Sequence, residues 1–171
     1  MWVFGYGSLM GDGWEAEFGC TNSETATLVG YRRDFNKASV RNWGSRTAPG
    51  PTLGLAPGGD CVGVAFEFPD EKRVRILAAL RDREGRSFAL EEKKVLLASD
   101  RSIVAVVPVN DSTGGTFIGD RPLEDRARLA RTAIGSKGTC LDYVKSIRKR
   151  LLELDVRDPG VEAFWALVAR E

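Results

Sequence analysis

The chain has 171 residues, 43% hydrophobic and 29% charged, which is the balance of an ordinary globule and enough for a single domain, 1–171, with its own core. Its 25 basic and 24 acidic residues leave a formal net charge of +1, which removes the overall electrostatic argument for nucleic acid or an anionic membrane as a partner. It contains no histidine, which excludes a Ser-His-Asp or Cys-His pair and every zinc site built on imidazole.

The three cysteines, Cys20, Cys61 and Cys140, are dispersed and form no C-x-x-C pair. They read as small core hydrophobes in a reducing cytosol, not as a disulfide framework. No D-x-D-type ligand loop is present, so no metal and no other cofactor is expected. A proton-transfer group in such a chain is a carboxylate, a lysine or a tyrosine.

Met1-Trp2-Val3-Phe4 is a short apolar run that reads as a buried strand. A strand starting this early leaves no room for a cleaved leader, and no apolar run approaches a membrane span, so a cytoplasmic protein is expected. The run breaks into Gly5-Tyr6-Gly7-Ser8-Leu9-Met10. Glycines on both sides of Tyr6 allow positive φ and close approach of the backbone to a ligand. A tight glycine turn after a buried strand aims successive N–H groups into one concave space, which suits an anion or a developing oxyanion. The same spacing also suits a plain turn with Tyr6 and Leu9 in the core. It matches neither a P-loop nor G-x-G-x-x-G, because no lysine follows and position 10 is Met.

Trp14 and Phe18 are spaced for one helical turn. Residues 27–35 predict a strand with Tyr31, Arg33 and Phe35 on one face, where Arg33 is either exposed or set to bind a carboxylate. Residues 41–59 hold much of the glycine and proline and read as a long loop, a lid or binding loop, with a short strand at 52–56. Residues 61–68 predict a strand with Val62, Val64, Phe66 and Phe68 on one face. Asp70 is the expected N-cap of a helix burying Val74, Leu77 and Ala78, with Leu80 close by. That helix ends at Arg81-Asp82-Arg83-Glu84-Gly85, with Gly85 at C′. A carboxylate at the negative end of the helix dipole is destabilised as an anion, and so Glu84 is expected to be somewhat basic and suited to proton transfer.

Residues 87–97 fit helix or strand; a strand in part of that segment, pairing with 103–109, is favoured, followed by a turn at 110–115. Leu123, Ala127, Ala130 and Ile134 mark an amphipathic helix ended by Gly135 and Gly138, and Leu141, Val144, Ile147, Leu151 and Leu154 mark a second. Lys145, Arg148, Lys149 and Arg150 are its solvated face. Asp158-Pro159-Gly160 starts a last helix that buries Val161, Phe164, Trp165 and Val168. Strands first and helices last argue for an α+β domain with a mixed or mainly antiparallel sheet, open or closed as a barrel.

Three stretches together resemble the ChaC-type γ-glutamylcyclotransferases. Val3-Phe4-Gly5-Tyr6-Gly7-Ser8-Leu9-Met10 is similar to that family's glycine loop, and Val29-Gly30-Tyr31-Arg32-Arg33-Asp34-Phe35 to its second strand. Leu80-Arg81-Asp82-Arg83-Glu84-Gly85-Arg86-Ser87-Phe88 is similar to its L-x-x-R-E-x-x-G-[YF] segment, whose Glu is catalytic. Gly138 to Tyr143 resembles the G-x-x-x-x-Y start of a late helix. Two departures are visible: Ser87 stands where the family has Gly, and Gly85 comes early.

The resemblance implies a small mixed β-barrel with surrounding helices. It implies conversion of a γ-glutamyl compound, glutathione first, to 5-oxoproline and a free amine such as Cys-Gly. Glu84 would be the general acid and base, with Glu91 and Glu92 as competitors. The backbone from Gly5 through Tyr6, Gly7, Ser8 and Leu9 would hold the substrate, with Tyr143 as a further contact. Glutathione could give way to γ-glutamylamines or γ-glutamyl-amino acids. A third option is a non-catalytic binding scaffold of the same fold. The partner in each case is a small molecule, and the sequence is silent on oligomeric state.

Overall fold

The structure, a computed structural model, describes residues 1–85 and 87–170; Arg86, part of the segment after Glu84, and Glu171 lie outside the described residues. Two compact units are present, Met1–Arg32 with Pro57–Asp111, and Arg33–Ala56 with Ser112–Glu171.

The mixed barrel has the strand order β1-β3-β2-β4-β5; β1, β4 and β5 belong wholly to the first unit, and β2 and β3 contribute residues to both. β1 (Trp2–Gly5) runs antiparallel to β3 (Gly50–Glu67), with Val3 opposite Phe66, and parallel to β5 (Ser102–Asn110), with Val3 opposite Val106. Pairing on both sides explains why its run is continuously apolar: Val3 and Phe4 are fully buried. β2 (Asn22–Ser39) pairs with β4 (Phe88–Leu97) at Ala26–Leu97, and β4 pairs with β5 from Phe88–Asn110 to Leu96–Ser102. The ambiguous segment 87–97 is therefore a strand, paired as expected. The spacing of Trp14 and Phe18 does form a helical turn, a 3₁₀ one over Trp14–Phe18. It sets Trp14 against Phe66 and Phe68, with ring centroids 5.8 and 5.3 Å away.

Two expectations fail here. The glycine- and proline-rich segment is loop only as far as residue 49, because β3 begins at Gly50 and continues, through the strand expected at 52–56, unbroken to Glu67. Pro57-Gly58-Gly59 is an exposed kink within the strand, with φ of 86° and 81° at the two glycines. Such a kink is where a strand tolerates both residue types. The helix after Pro69 also turns differently. A 3₁₀ turn at Asp70–Lys72 precedes α1 (Arg73–Glu84), which buries Ile76 and Leu80, four residues apart. Val74 is 81% exposed and Ala78 is exposed too. Asp70 caps nothing; its carboxylate accepts from the amino-terminal ammonium at 2.7 Å.

In the second unit the loop 40–49 is closed by backbone against backbone: a Cβ on Gly50 would lie 1.9 Å from the Trp43 carbonyl oxygen. α2 (Leu123–Thr132) buries Ala127 and Ala130 as expected. Ile134 falls beyond its end, 64% exposed, in a two-stranded hairpin of β6 (Ile134–Gly135) and β7 (Gly138–Thr139). The helical spacing ran one turn too far, through the residues that reverse the chain. α3 (Cys140–Glu153) is capped by the Thr139 hydroxyl, which accepts from Asp142 N–H at 3.0 Å. α4 (Pro159–Val168) is capped by Asp158, which accepts from Val161 N–H at 3.0 Å. Of the two readings of Arg33, exposed or set to bind a carboxylate, the second holds: it is buried, and it binds the carboxylate of Asp158 at 2.9 Å. The basic run on α3 is a paired surface, with Arg148 on Glu162 at 2.8 Å and Lys149 and Arg150 on Glu153 at 3.8 and 3.3 Å.

Candidate active site

β1 delivers the chain into Gly5-Tyr6-Gly7, and Ser8–Met10 form a single 3₁₀ turn in which Met10 N–H donates to the Gly7 carbonyl at 3.0 Å. Tyr6 and Leu9 turn their side chains into the core, with 5% and 4% exposure. The Tyr6 hydroxyl donates to the Pro108 carbonyl at 2.9 Å, and its ring stacks on Phe4. What the loop can offer a ligand is therefore main chain and the exposed Ser8 hydroxyl. The first amides of a helical turn have no partner within it.

Neither glycine takes positive φ, and Gly5 serves packing. Gly7 has φ −123°, and Gly5 is not among the positive-φ residues. A Cβ on Gly5 would meet Leu9 backbone at 3.0 Å. Gly63, which reading by strand periodicity passed over, supports the loop from β3: a Cβ there would lie 2.3 Å from the Gly5 carbonyl oxygen and 2.8 Å from the Phe4 ring. Gly63→Ala is expected to lower stability by about 1–3 kcal/mol, as overpacking does. Urea unfolding checks it; an unchanged midpoint would show that the loop yields freely.

Glu84 is the last residue of α1, and Gly85, with φ 74°, closes the helix by donating to the Arg81 carbonyl at 2.9 Å. The Glu84 side chain is only 17% exposed. Beside it, the Arg83 guanidinium has its Nε 3.6 Å from Glu84 Oε1 and donates to the Ser8 hydroxyl at 3.1 Å. It also donates to the carboxylate of Asp12. The glycine turn and the acid thus lie within the reach of one guanidinium. The competing acids sit differently: Glu91, 45% exposed, pairs with Lys93 at 2.8 Å, and Glu92, 57% exposed, pairs with Arg73 at 2.7 Å. Arg83 is the Arg of the L-x-x-R-E segment, but no role for it is read from the sequence, where its charge is one of several at a helix end; Asp12 is not singled out there at all.

Tyr143 belongs to the second unit. It is buried on α3, its hydroxyl accepts from Leu53 N–H at 3.2 Å, and its ring packs on Trp43. Cys61 and Cys140 are fully buried, as expected of core thiols, and burial pushes the Cys140 thiol up to about 12. Cys20 is half-buried and donates to the Asn22 carbonyl at 3.1 Å, so it is not a core residue. Among the described residues no cluster of three His, Cys, Asp or Glu could hold a metal ion, and no helix is long and apolar enough to cross a membrane. A surface groove of roughly 470 Å³ between α3 and α4, lined by Lys145, Lys149, Leu152 and Trp165 among others, contains none of these residues.

Comparison with known proteins places the chain in a family. The model of the ChaC-like proteins matches residues 1–171. The glutathione-specific γ-glutamylcyclotransferase of Escherichia coli is 32% identical over 99% of this chain and 73% of its own. γ-Glutamylcyclotransferase 2-3 of Arabidopsis thaliana is 31% identical over 94% of this chain and 84% of its own. The crystal structure of a glutathione-specific γ-glutamyl cyclotransferase from yeast superposes with a TM-score of 0.89, covering 98% of this chain and 95% of that one at 19% identity. That likeness fixes the fold as the mixed barrel with helices expected from the sequence. On the match of the family model along its whole length, the chain belongs to the ChaC-like family.

Proposed function

We propose that this protein is a γ-glutamylcyclotransferase that converts glutathione to 5-oxoproline and Cys-Gly. The observation that carries the reading is the sheltered carboxylate of Glu84 and the glycine turn, joined by Arg83, in a chain 32% identical to a glutathione-specific relative. The substrate's own α-amine attacks its γ-carbonyl carbon. The ring C–N bond forms, the bond to the cysteinyl nitrogen breaks, and that nitrogen leaves as a neutral amine. The reaction needs no protein nucleophile. Holding the glutamyl chain curled supplies much of the rate, because ring closure is intramolecular.

Glu84 takes a proton from the α-ammonium, which frees the lone pair that attacks, and gives that proton to the leaving nitrogen; the second proton, which the ring nitrogen sheds as the lactam forms, passes to solvent. Main-chain amides from Tyr6 to Leu9 hold the tetrahedral oxyanion and the α-carboxylate, where a single donor is worth roughly 2.7–4 kcal/mol. Ser8 adds a hydroxyl. The buried free thiols suit the reducing cytoplasm.

Incubation with glutathione is expected to yield 5-oxoproline and Cys-Gly in equal amounts. A panel of γ-glutamylamines and γ-glutamyl-amino acids run beside it identifies the leaving group. Turnover of another panel member but not glutathione moves the substrate assignment, and turnover of none leaves a binding scaffold and ends the reading.

A further inference from the structure

Glu84 occupies an awkward place for an acid that must hold one orientation. It is the terminal residue of α1, where helices fray and where the dipole disfavours a carboxylate. Its nearest charged neighbour in sequence, Arg83, is not turned out to solvent as a charge near a helix end usually is; its side chain is 24% exposed. The guanidinium spans two elements. On one side it donates to Ser8 Oγ at 3.1 Å and to the Asp12 carboxylate, both on the loop after β1. On the other its Nε lies 3.6 Å from Glu84 Oε1. Arginine suits this task because its planar fork presents donors in fixed directions, whereas a lysine ammonium is a point charge.

We propose that Arg83 is a positioning residue: its guanidinium, anchored by Asp12 and Ser8, holds the Glu84 carboxylate toward the glycine turn. This rests on the γ-glutamylcyclotransferase reading above. Asp12 has a share in the arrangement. Its carboxylate holds the far side of the guanidinium, while Nε stays 3.6 Å from Glu84 Oε1. Arg81, exposed at the same end of the helix, has no such neighbour among the described residues and supplies the matching control.

Steady-state kinetics with glutathione, on the wild-type chain and on Arg83→Ala, Arg83→Lys, Asp12→Asn and Arg81→Ala, test the proposal. Displacing a catalytic group by about 1 Å can cost roughly 10²-fold. Arg83→Ala is therefore expected to lower kcat by about that factor with KM within about threefold. Arg83→Lys is expected to recover only a small part, because the fork is lost. Asp12→Asn is expected to fall in between, and Arg81→Ala to match wild type. Thermal melting of each variant separates loss of fold from loss of kcat. Wild-type kcat in Arg83→Ala overturns the proposal. So does a loss confined to KM, which would make Arg83 a substrate ligand, and so does full rescue by lysine. A wild-type chain that turns over no γ-glutamyl compound sinks the functional reading instead; any turnover by wild type leaves the variants to decide on Arg83 alone.

Discussion

Glu84→Gln is expected to fold like the parent chain and to release 5-oxoproline about 10²- to 10⁴-fold more slowly, the range over which general acid–base help usually contributes. The amide keeps the size of the side chain and its contact with Arg83 but cannot carry a proton from the α-ammonium to the leaving nitrogen. The remaining rate is that of a curled substrate held against main-chain donors. Glutathione binding should survive, so KM moves less than kcat. Glu91→Gln and Glu92→Gln, which remove carboxylates 45% and 57% exposed and paired with Lys93 and Arg73, are expected to stay within a few-fold of wild type, since pairs with so exposed a member contribute about 0–1 kcal/mol. An active Glu84→Gln beside a dead Glu91→Gln or Glu92→Gln would move the proton shuttle along the chain and leave the reaction class standing.

The elements that carry the candidate site could be read from the residues because they are local. The run from Val3 to Met10 is a strand and a turn in one stretch, and Arg81 to Gly85 is a helix end; neither needs long-range packing to be recognised. Why the glycines are there was not legible in the same way. Spacing suggested left-handed backbone around Tyr6, but Gly5 is small because Leu9 lies against it and because Gly63, on a strand far along the chain, lets it close in. That is a fact of tertiary packing. The same limit applies to Arg83, whose partners Ser8 and Asp12 are more than 70 positions away in sequence. Segment 50–59 failed for another reason: glycine and proline usually signal loop, but β3 absorbs them in one kink at Pro57–Gly59 and continues. On α1 the stripe was misjudged because only Ile76 and Leu80 are buried; a helix with so narrow an apolar face leaves little periodicity to read.

Arg33→Ala is expected to cost about 3–5 kcal/mol, the penalty for leaving one member of a buried ion pair alone. Arg33 has no exposed side-chain surface and Asp158 only 8%. The same Asp158 carboxylate caps α4 through Val161 N–H, so the pair fastens the start of that helix to β2. Packing reinforces the contact: a Cβ on Gly160 would lie 2.9 Å from the Arg33 carbonyl oxygen, and Phe35 stacks on Phe164 with centroids 4.0 Å apart. Asp158→Asn keeps an N-cap acceptor but leaves the guanidinium without its counter-charge, so it too is expected to be costly. The double variant Arg33→Met/Asp158→Asn removes both charges, retains the cap and fills most of the volume. It is expected to be more stable than Arg33→Ala by at least half of the single-variant loss, because replacing a whole buried pair costs far less than breaking it. Urea unfolding of the three variants and the parent, analysed as a cycle, checks this. A loss below about 1 kcal/mol in Arg33→Ala would mean that the aromatic stack and the close backbone contact hold α4 to β2 without the ion pair.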